Sequence, residues 1–333
     1  MRGKTIILVA MLVFLIYGSS MVYAYHYKKA YGYYDNRYDP LIGGVQIEIT
    51  GAIFGGPPDL YPYNNCSLSF PVKIRGYSSP LDRGFITAGH CANINEYIDQ
   101  PKKLSWFDWS NFIGRVKRNS VPQEGGTTDL DAGLIYLAHC PGNYPCTPTR
   151  DFKPFIFENN STPYYGIEKR DYNWQVGITA YITPTKNMEN NVRVYKSGRT
   201  TGVTYGLIKK IDDWFWYYNW NNKLVIVQPA IKVARCYIDP NDGKYKCYYN
   251  SNIALDHDSG APVYIRHLIY AERVGNVYIY HYGAQMVGIL IGGTDPGYDH
   301  PTTYFWATWA TKVKERWPDL ELVTCGPDIG KCL

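Results

Sequence analysis

From Leu41 onward the chain is written in short apolar runs separated by Gly, Pro and Asn. The runs "LIGGVQIEI", "SFPVKIR", "GFITA", "FIGRVKR", "LDAGLIYL", "QVGITAYI" and "NVRVYKSG" are followed by "VTYGLIKKI", "KLVIVQPAIKVA", "APVYIRH" and "QMVGILIGG". Each is too short for an isolated helix, is rich in β-branched or aromatic residues, and is bounded by turn formers. Many such runs in series predict an antiparallel all-β sandwich or barrel. No internal repeat period is visible. The pattern changes only near the end, where "TYFWATWATKVKERW" places Phe305, Trp309 and Val313 four residues apart, ahead of Pro318. That spacing predicts a C-terminal amphipathic helix packed on the β body. Residues 139–174 are Pro- and Asn-rich without periodicity and read as an insertion loop, not a domain.

The first 24 residues follow another logic. Arg2 and Lys4 precede an apolar run from Thr5 to Tyr17, then small residues and Val22-Tyr23-Ala24. This is the layout of a secretory signal peptide over 1–24, its apolar run short for a membrane span, with an uncleaved anchor as the alternative. Residues 25–40, polar and Tyr-rich, read as a linker or short pro-segment. The expected destination is extracellular, with no membrane span in the mature chain once the signal is cleaved.

Export changes how the cysteines are read. They stand at 66, 91, 140, 146, 236, 247, 325 and 332, an even set suited to an oxidising compartment. Close neighbours suggest Cys140–Cys146, Cys236–Cys247 and Cys325–Cys332, leaving Cys66 with Cys91; other pairings stay open at this point. No C-x-x-C pair exists, which argues against structural zinc. The formal charge of +5 is mild and the basic residues are scattered, so nothing points to nucleic acid. At 333 residues and 45% apolar content, the chain can bury one large core or two small ones.

Three places can carry chemistry. "RGFITAGHCAN" ends a β-run in small residues, then His90, then a cysteine able to pin the turn. A base that takes and returns a proton needs such rigid placement. "TTDLDAGLIYL" sets Asp131 at the mouth of an apolar run, where a carboxylate is costly unless something pairs with it; Asp129 is its rival. "ALDHDSGAPV" presents Ser259 before Gly260, in a turn whose N–H groups can converge on an oxyanion. Asp256-His257-Asp258 as a metal clamp is disfavoured, because adjacent residues on a turn rarely converge on one ion.

Taken in order, these segments resemble the chymotrypsin-like serine peptidases, closest to the streptogrisin and α-lytic branch. "CSLSFPVKI…GFITAGHC" is similar to the family's histidine segment, "DAGLI" to its acid motif, "KSGRTTGVTYG" to a branch-specific strand, and "DSGAP" and "VGILIGGT" to its serine motif and substrate-cleft strand. The resemblance spans Leu41 to Trp317 apart from the insertion. It implies two packed six-stranded antiparallel Greek-key β-barrels with a C-terminal α-helix in a peptidase domain over 41–333. The first barrel would occupy about 41–138, and the second barrel with its helix about 175–333.

The resemblance further implies a secreted serine endopeptidase acting on polypeptides, without cofactor or metal, and expected as a monomer. His90 would be the base, Asp131 its orienting acid and Ser259 the nucleophile. The N–H groups of His257 and Ser259 would form the oxyanion hole, Lys196 would pair with Asp258 beneath the serine turn, and Gly292 and Gly293 would line the cleft. It favours Asp131 over Asp129 and supports Cys66–Cys91. The sequence departs from the family at His257, where glycine is usual, at Ile291, where serine is usual, and near Leu255, where a cysteine is missing. No acid stands at Asn252 or Ile253, the expected pocket floor, so a preference for Lys or Arg is not expected. A catalytically silent protein that binds through the same cleft is the alternative these departures leave.

Overall fold

The computed structural model describes residues 37–50, 65–101, 110–140, 145–158, 175–239, 241, 245–247, 253–255, 257–274, 277–293 and 304–326. The expected signal peptide and nearly all of the linker lie outside the described residues.

Two closed antiparallel barrels form the body. In the first, the segment holding Asn65–Ser67 and Pro71–Ile74 pairs at its start with Gln46–Thr50 and at its end with Arg83–Thr87. The ring continues through Gly133–Tyr136, Phe112–Asn119 and Tyr97–Asp99 back to Gln46–Thr50. The second barrel runs Arg193–Gly198, Gly202–Tyr218, Leu224–Ala234, Tyr304–Trp309, Val277–Gly293 and Pro262–Val274, and a further pairing between Val277–Gly293 and Tyr304–Trp309 closes it. Numbered by chain order within each barrel, both rings read 1-2-3-6-5-4, one Greek-key connectivity used twice. Closure leaves no free strand edge in either ring apart from the outer side of Pro71–Ile74, which a later segment covers.

The strands form where the sequence offers residues for both faces. Gly133–Tyr136 is buried throughout, so its run is continuously apolar. The outer half of Gly202–Tyr218 alternates instead, with Trp214, Trp216 and Tyr218 exposed and Phe215 and Tyr217 turned inward. Leu68, Phe70, Phe85, Ile86 and Ile135 centre the first core, and Val194, Ile231, Val263, Leu290 and Phe305 the second, all at 1% exposure or less. Each such side chain contributes about 1.5–3 kcal/mol on burial.

The helix expected over "TYFWATWATKVKERW" is corrected. Tyr304–Trp309 is a strand and only Lys312–Arg316 is helical. The four-residue spacing was coincidental to an equally good alternation, in which Phe305 and Ala307 are fully buried between two neighbouring strands. Hydrogen bonding on both sides outweighs the weak helix preference of an aromatic and Thr-rich run. Among the described residues no helix is long and apolar enough to cross a membrane.

The segments flanking the barrels bind across the two bodies. Leu41–Gly43, leading into the first barrel, pairs with Phe152–Phe157 of the larger sheet. Phe152–Phe157 lies within the stretch expected as an insertion loop, whose residues 159–174 fall outside the described set. In return Leu320–Leu322, after the second barrel, pairs with Pro71–Ile74 of the first. The adjacent Asp319 receives both terminal nitrogens of Arg118 at 2.6 Å. Disulfides join Cys66–Cys91, Cys140–Cys146 and Cys236–Cys247; Cys325 is also disulfide-bonded, while Cys332 lies outside the described residues.

Candidate active site

His90 sits in the 3-10 turn Gly89–Cys91 that follows strand Arg83–Thr87. Its position is braced twice. Cys91 is bridged to Cys66, and the Asn119 side-chain amide donates to Gly89 O and Ala92 O at 2.7 Å each. Asp131, fully buried, follows Leu130, and the Ser120 hydroxyl donates to Leu130 O at 2.8 Å while accepting from Ala132 N at 2.8 Å. The loop is thus clamped on both sides of the carboxylate.

The two residues meet squarely. Asp131 Oδ2 lies 2.8 Å from His90 Nδ1, and Oδ1 accepts the His90 backbone N–H at 2.9 Å. Oδ2 therefore fixes the tautomer with Nδ1 protonated, leaving Nε2 as the acceptor. Asp129, the rival acid, is half exposed and pairs with Arg316 and Lys312 instead.

Ser259 comes to the same place from the second barrel. Its carbonyl accepts Ser67 N at 2.7 Å, one residue from the disulfide that holds Cys91 beside His90. Gly260 next to it has φ +86°, and a Cβ there would stand 2.2 Å from Ser67 O and 2.4 Å from Thr87 Oγ1. The Ser259 turn is therefore pressed onto the segment leading to His90, at a position where only glycine fits. Gly260→Ala is expected to cost about 2 kcal/mol or more, read as a lowered midpoint in thermal or denaturant unfolding. No hydrogen bond joins Ser259 Oγ to His90; in active sites of this kind the bond often tightens only as substrate binds.

The turn rests on a charged support. Lys196 Nζ lies 2.9 Å from Asp258 Oδ2 with both side chains fully buried. Asp258 Oδ1 also accepts Thr200 N at 2.7 Å, and Oδ2 accepts Thr201 Oγ1 at 2.6 Å and Leu255 N at 3.1 Å. Burial pulls the Lys196 ammonium below its ordinary range, opposed by the attraction and hydrogen bond of Asp258. His257, where glycine was expected, takes the left-handed conformation itself at φ 72°. Its ring Nδ1 lies 3.2 Å from Asn65 O, and its carbonyl accepts Ser67 Oγ at 3.3 Å.

Gly292 and Gly293 lie on the strand Val277–Gly293. The Phe215 ring covers Gly292 so closely that a Cβ would sit 2.3 Å from it. Ile291 is buried in an apolar cluster with Val225, Val227, Phe215 and Tyr217. Ile253 is fully buried in the second core, and Asn252 lies outside the described residues. A cavity of about 120 Å³ opens between the His90 side and the hairpin tip, lined by Gly89, Asn93, Ile94, Asn119, Asn219 and Trp220. Asn119, Ser120 and Tyr217 were not singled out from the sequence. For Tyr217 a signal existed, since "DDWFWYY" alternates and so sets Phe215 and Tyr217 on the inner face.

No family model matches the chain, and no curated protein does. Among solved structures it is similar to a Nocardiopsis protease, with TM-score 0.49 and 17% identity over 86% of this chain and 100% of that one. Protease A of Thermobifida fusca gives TM-score 0.48 and 18% identity over 86% and 99%. A chymotrypsin of Cellulomonas bogoriensis gives 0.46 and 17% over the same shares. At these scores the assignment of fold rests on the chain's own geometry: two closed six-stranded barrels with identical Greek-key order.

Proposed function

We propose that the chain is an exported serine endopeptidase in which His90, Asp131 and Ser259 form the catalytic triad. The observation that carries this reading is the buried Asp131 carboxylate bonded to both the backbone and the Nδ1 of His90, an arrangement that leaves Nε2 ready to accept a proton. His90 Nε2 removes the Ser259 hydroxyl proton as Oγ attacks the peptide carbonyl carbon. The oxyanion of the tetrahedral intermediate is held by the N–H groups of His257 and Ser259. His90 then hands its proton to the leaving amine, giving an acyl-serine that water hydrolyses by the same steps in reverse. Lys196 and Asp258 hold the serine turn, and Gly292 and Gly293 present the cleft strand to the substrate backbone. Disulfides and the leader-like first 24 residues support export.

The test is labelling of the purified mature chain by a fluorophosphonate probe. Modification at Ser259, with turnover of a protein substrate, is the expected result; an unlabelled chain would overturn the reading and leave the cleft as a binding surface. The left-handed φ of His257 supports a formed oxyanion turn. His257→Gly therefore removes backbone strain of about 1–3 kcal/mol without changing the donor. It is expected to raise the unfolding midpoint and to leave the labelling rate within a few-fold of wild type.

A further inference from the structure

Among the described residues around the candidate triad, Tyr217 carries a polar group that is left over. Its ring lies against His90, centroids 5.1 Å apart and tilted by 54°. Its hydroxyl is sealed from water and meets no partner at strict hydrogen-bonding geometry, although Asp131 lies close enough to act on it. A buried hydroxyl without a partner costs about 1–3 kcal/mol, so a site that keeps one invites a reason.

The surroundings point in one direction. Ile291, Val225, Val227 and Phe215 pack around Tyr217 and offer only apolar side chains. Asp131, in contrast, is fully buried, and the two His90 donors leave its carboxylate with lone pairs to spare. The hydroxyl faces that carboxylate: burial and the Asp131 charge together hold the phenol protonated far above its ordinary range. Tyr217 can therefore act only as a donor towards it.

The backbone ties the two rigidly together. Gly126–Thr128, three residues before Asp131, pairs with Val225–Val227 of the second barrel. Val225 in turn pairs with Tyr217 and Val227 with Phe215. The acid loop, the strand Leu224–Ala234 and the tyrosine are thus consecutive members of one hydrogen-bonded array, and Tyr217 reaches His90 and Asp131 from across the barrel boundary.

We infer that Tyr217 is a positioning residue of the candidate triad, its hydroxyl closing onto Asp131 and its ring onto His90. The inference rests on the peptidase reading for its kinetic consequence but not for its geometry. A donor on Asp131 disperses the carboxylate charge and keeps that carboxylate aimed at Nδ1, while the ring limits rotation of the imidazole.

Tyr217→Phe keeps the ring and removes only the hydroxyl. Roughly a tenfold fall in kcat at unchanged KM is expected, with no loss of thermal stability. Unchanged kcat together with a raised melting temperature would overturn the inference, because that is the signature of an idle buried hydroxyl. A second measurement is independent of turnover: in the Ser259→Ala chain, the low-field proton resonance of His90 Nδ1–H is recorded with Tyr217 and with Phe at 217. A displaced resonance supports the contact with Asp131, and an identical one refutes it. Failure of probe labelling at Ser259 would sink the peptidase reading, yet this resonance would still decide the role of Tyr217.

Discussion

Ser259→Ala is expected to abolish fluorophosphonate labelling and to lower kcat by about 10⁶-fold, with folding intact. The physical reason is that the covalent route disappears with the hydroxyl, while cleft binding and oxyanion donors remain. His90→Ala is expected to fall by a similar factor, because a serine without its base is no nucleophile. The Ser259→Ala/His90→Ala double variant is expected to be no worse than either single one, since the members act as a unit. Asp131→Asn is expected to lose about 10⁴-fold: an amide would donate to Nδ1 and force the proton onto Nε2, where the base is needed. This ranking, read from kcat on a protein substrate with active sites counted, separates a working triad from a coincidental His–Asp pair. Equal, small effects for all three would contradict it.

Lys196→Met is expected to cost about 3–5 kcal/mol of stability, because it leaves Asp258 charged, buried and without its cation. The methionine fills much of the lysine's volume, so the loss is electrostatic and not a cavity effect. Asp258 would keep its bonds from Thr200 N, Thr201 Oγ1 and Leu255 N, which is why the turn distorts instead of dissolving. Ser259 follows Asp258 directly, so labelling is expected to slow in parallel with the unfolding midpoint measured in urea. Lys186→Met, on the exposed Lys186–Asp212 pair, is the matched control and is expected to leave both unchanged. A Lys196→Met chain as stable as the wild type would show that Asp258 is held by its neutral donors alone.

Much of the architecture could be read from periodicity. The runs ending at Thr87, Gly198 and Gly293 became strands because their apolar positions suit a buried pleat. The terminal run failed for a physical reason: alternation and four-residue spacing coincide over so few aromatics, and the deciding factor was two neighbouring strands. The geometry at His90 and Asp131 was legible because both needed unusual neighbours, small residues before one and an apolar run after the other. What escaped was anything created by contacts between segments distant in sequence. Asn119 and Ser120 look like ordinary polar residues until the turn they brace is in place, and Tyr217 is one tyrosine among 33. His257 shows the opposite case, a residue flagged as foreign to its position that nevertheless adopts the backbone shape required there.

The exchange of flanking strands between the barrels carries a consequence for assembly. The strand that Pro71–Ile74 needs on its outer edge is supplied by Leu320–Leu322, which follows the whole second barrel in sequence. Until that strand is in place the first barrel exposes an unpaired edge, and Arg118 lacks Asp319. The molecule therefore cannot finish its amino-terminal half before its carboxy-terminal half exists. Removal of the residues after Trp317 would therefore leave the first barrel with the outer side of Pro71–Ile74 uncovered and Arg118 without its acid, while the strands of the second barrel keep all their partners.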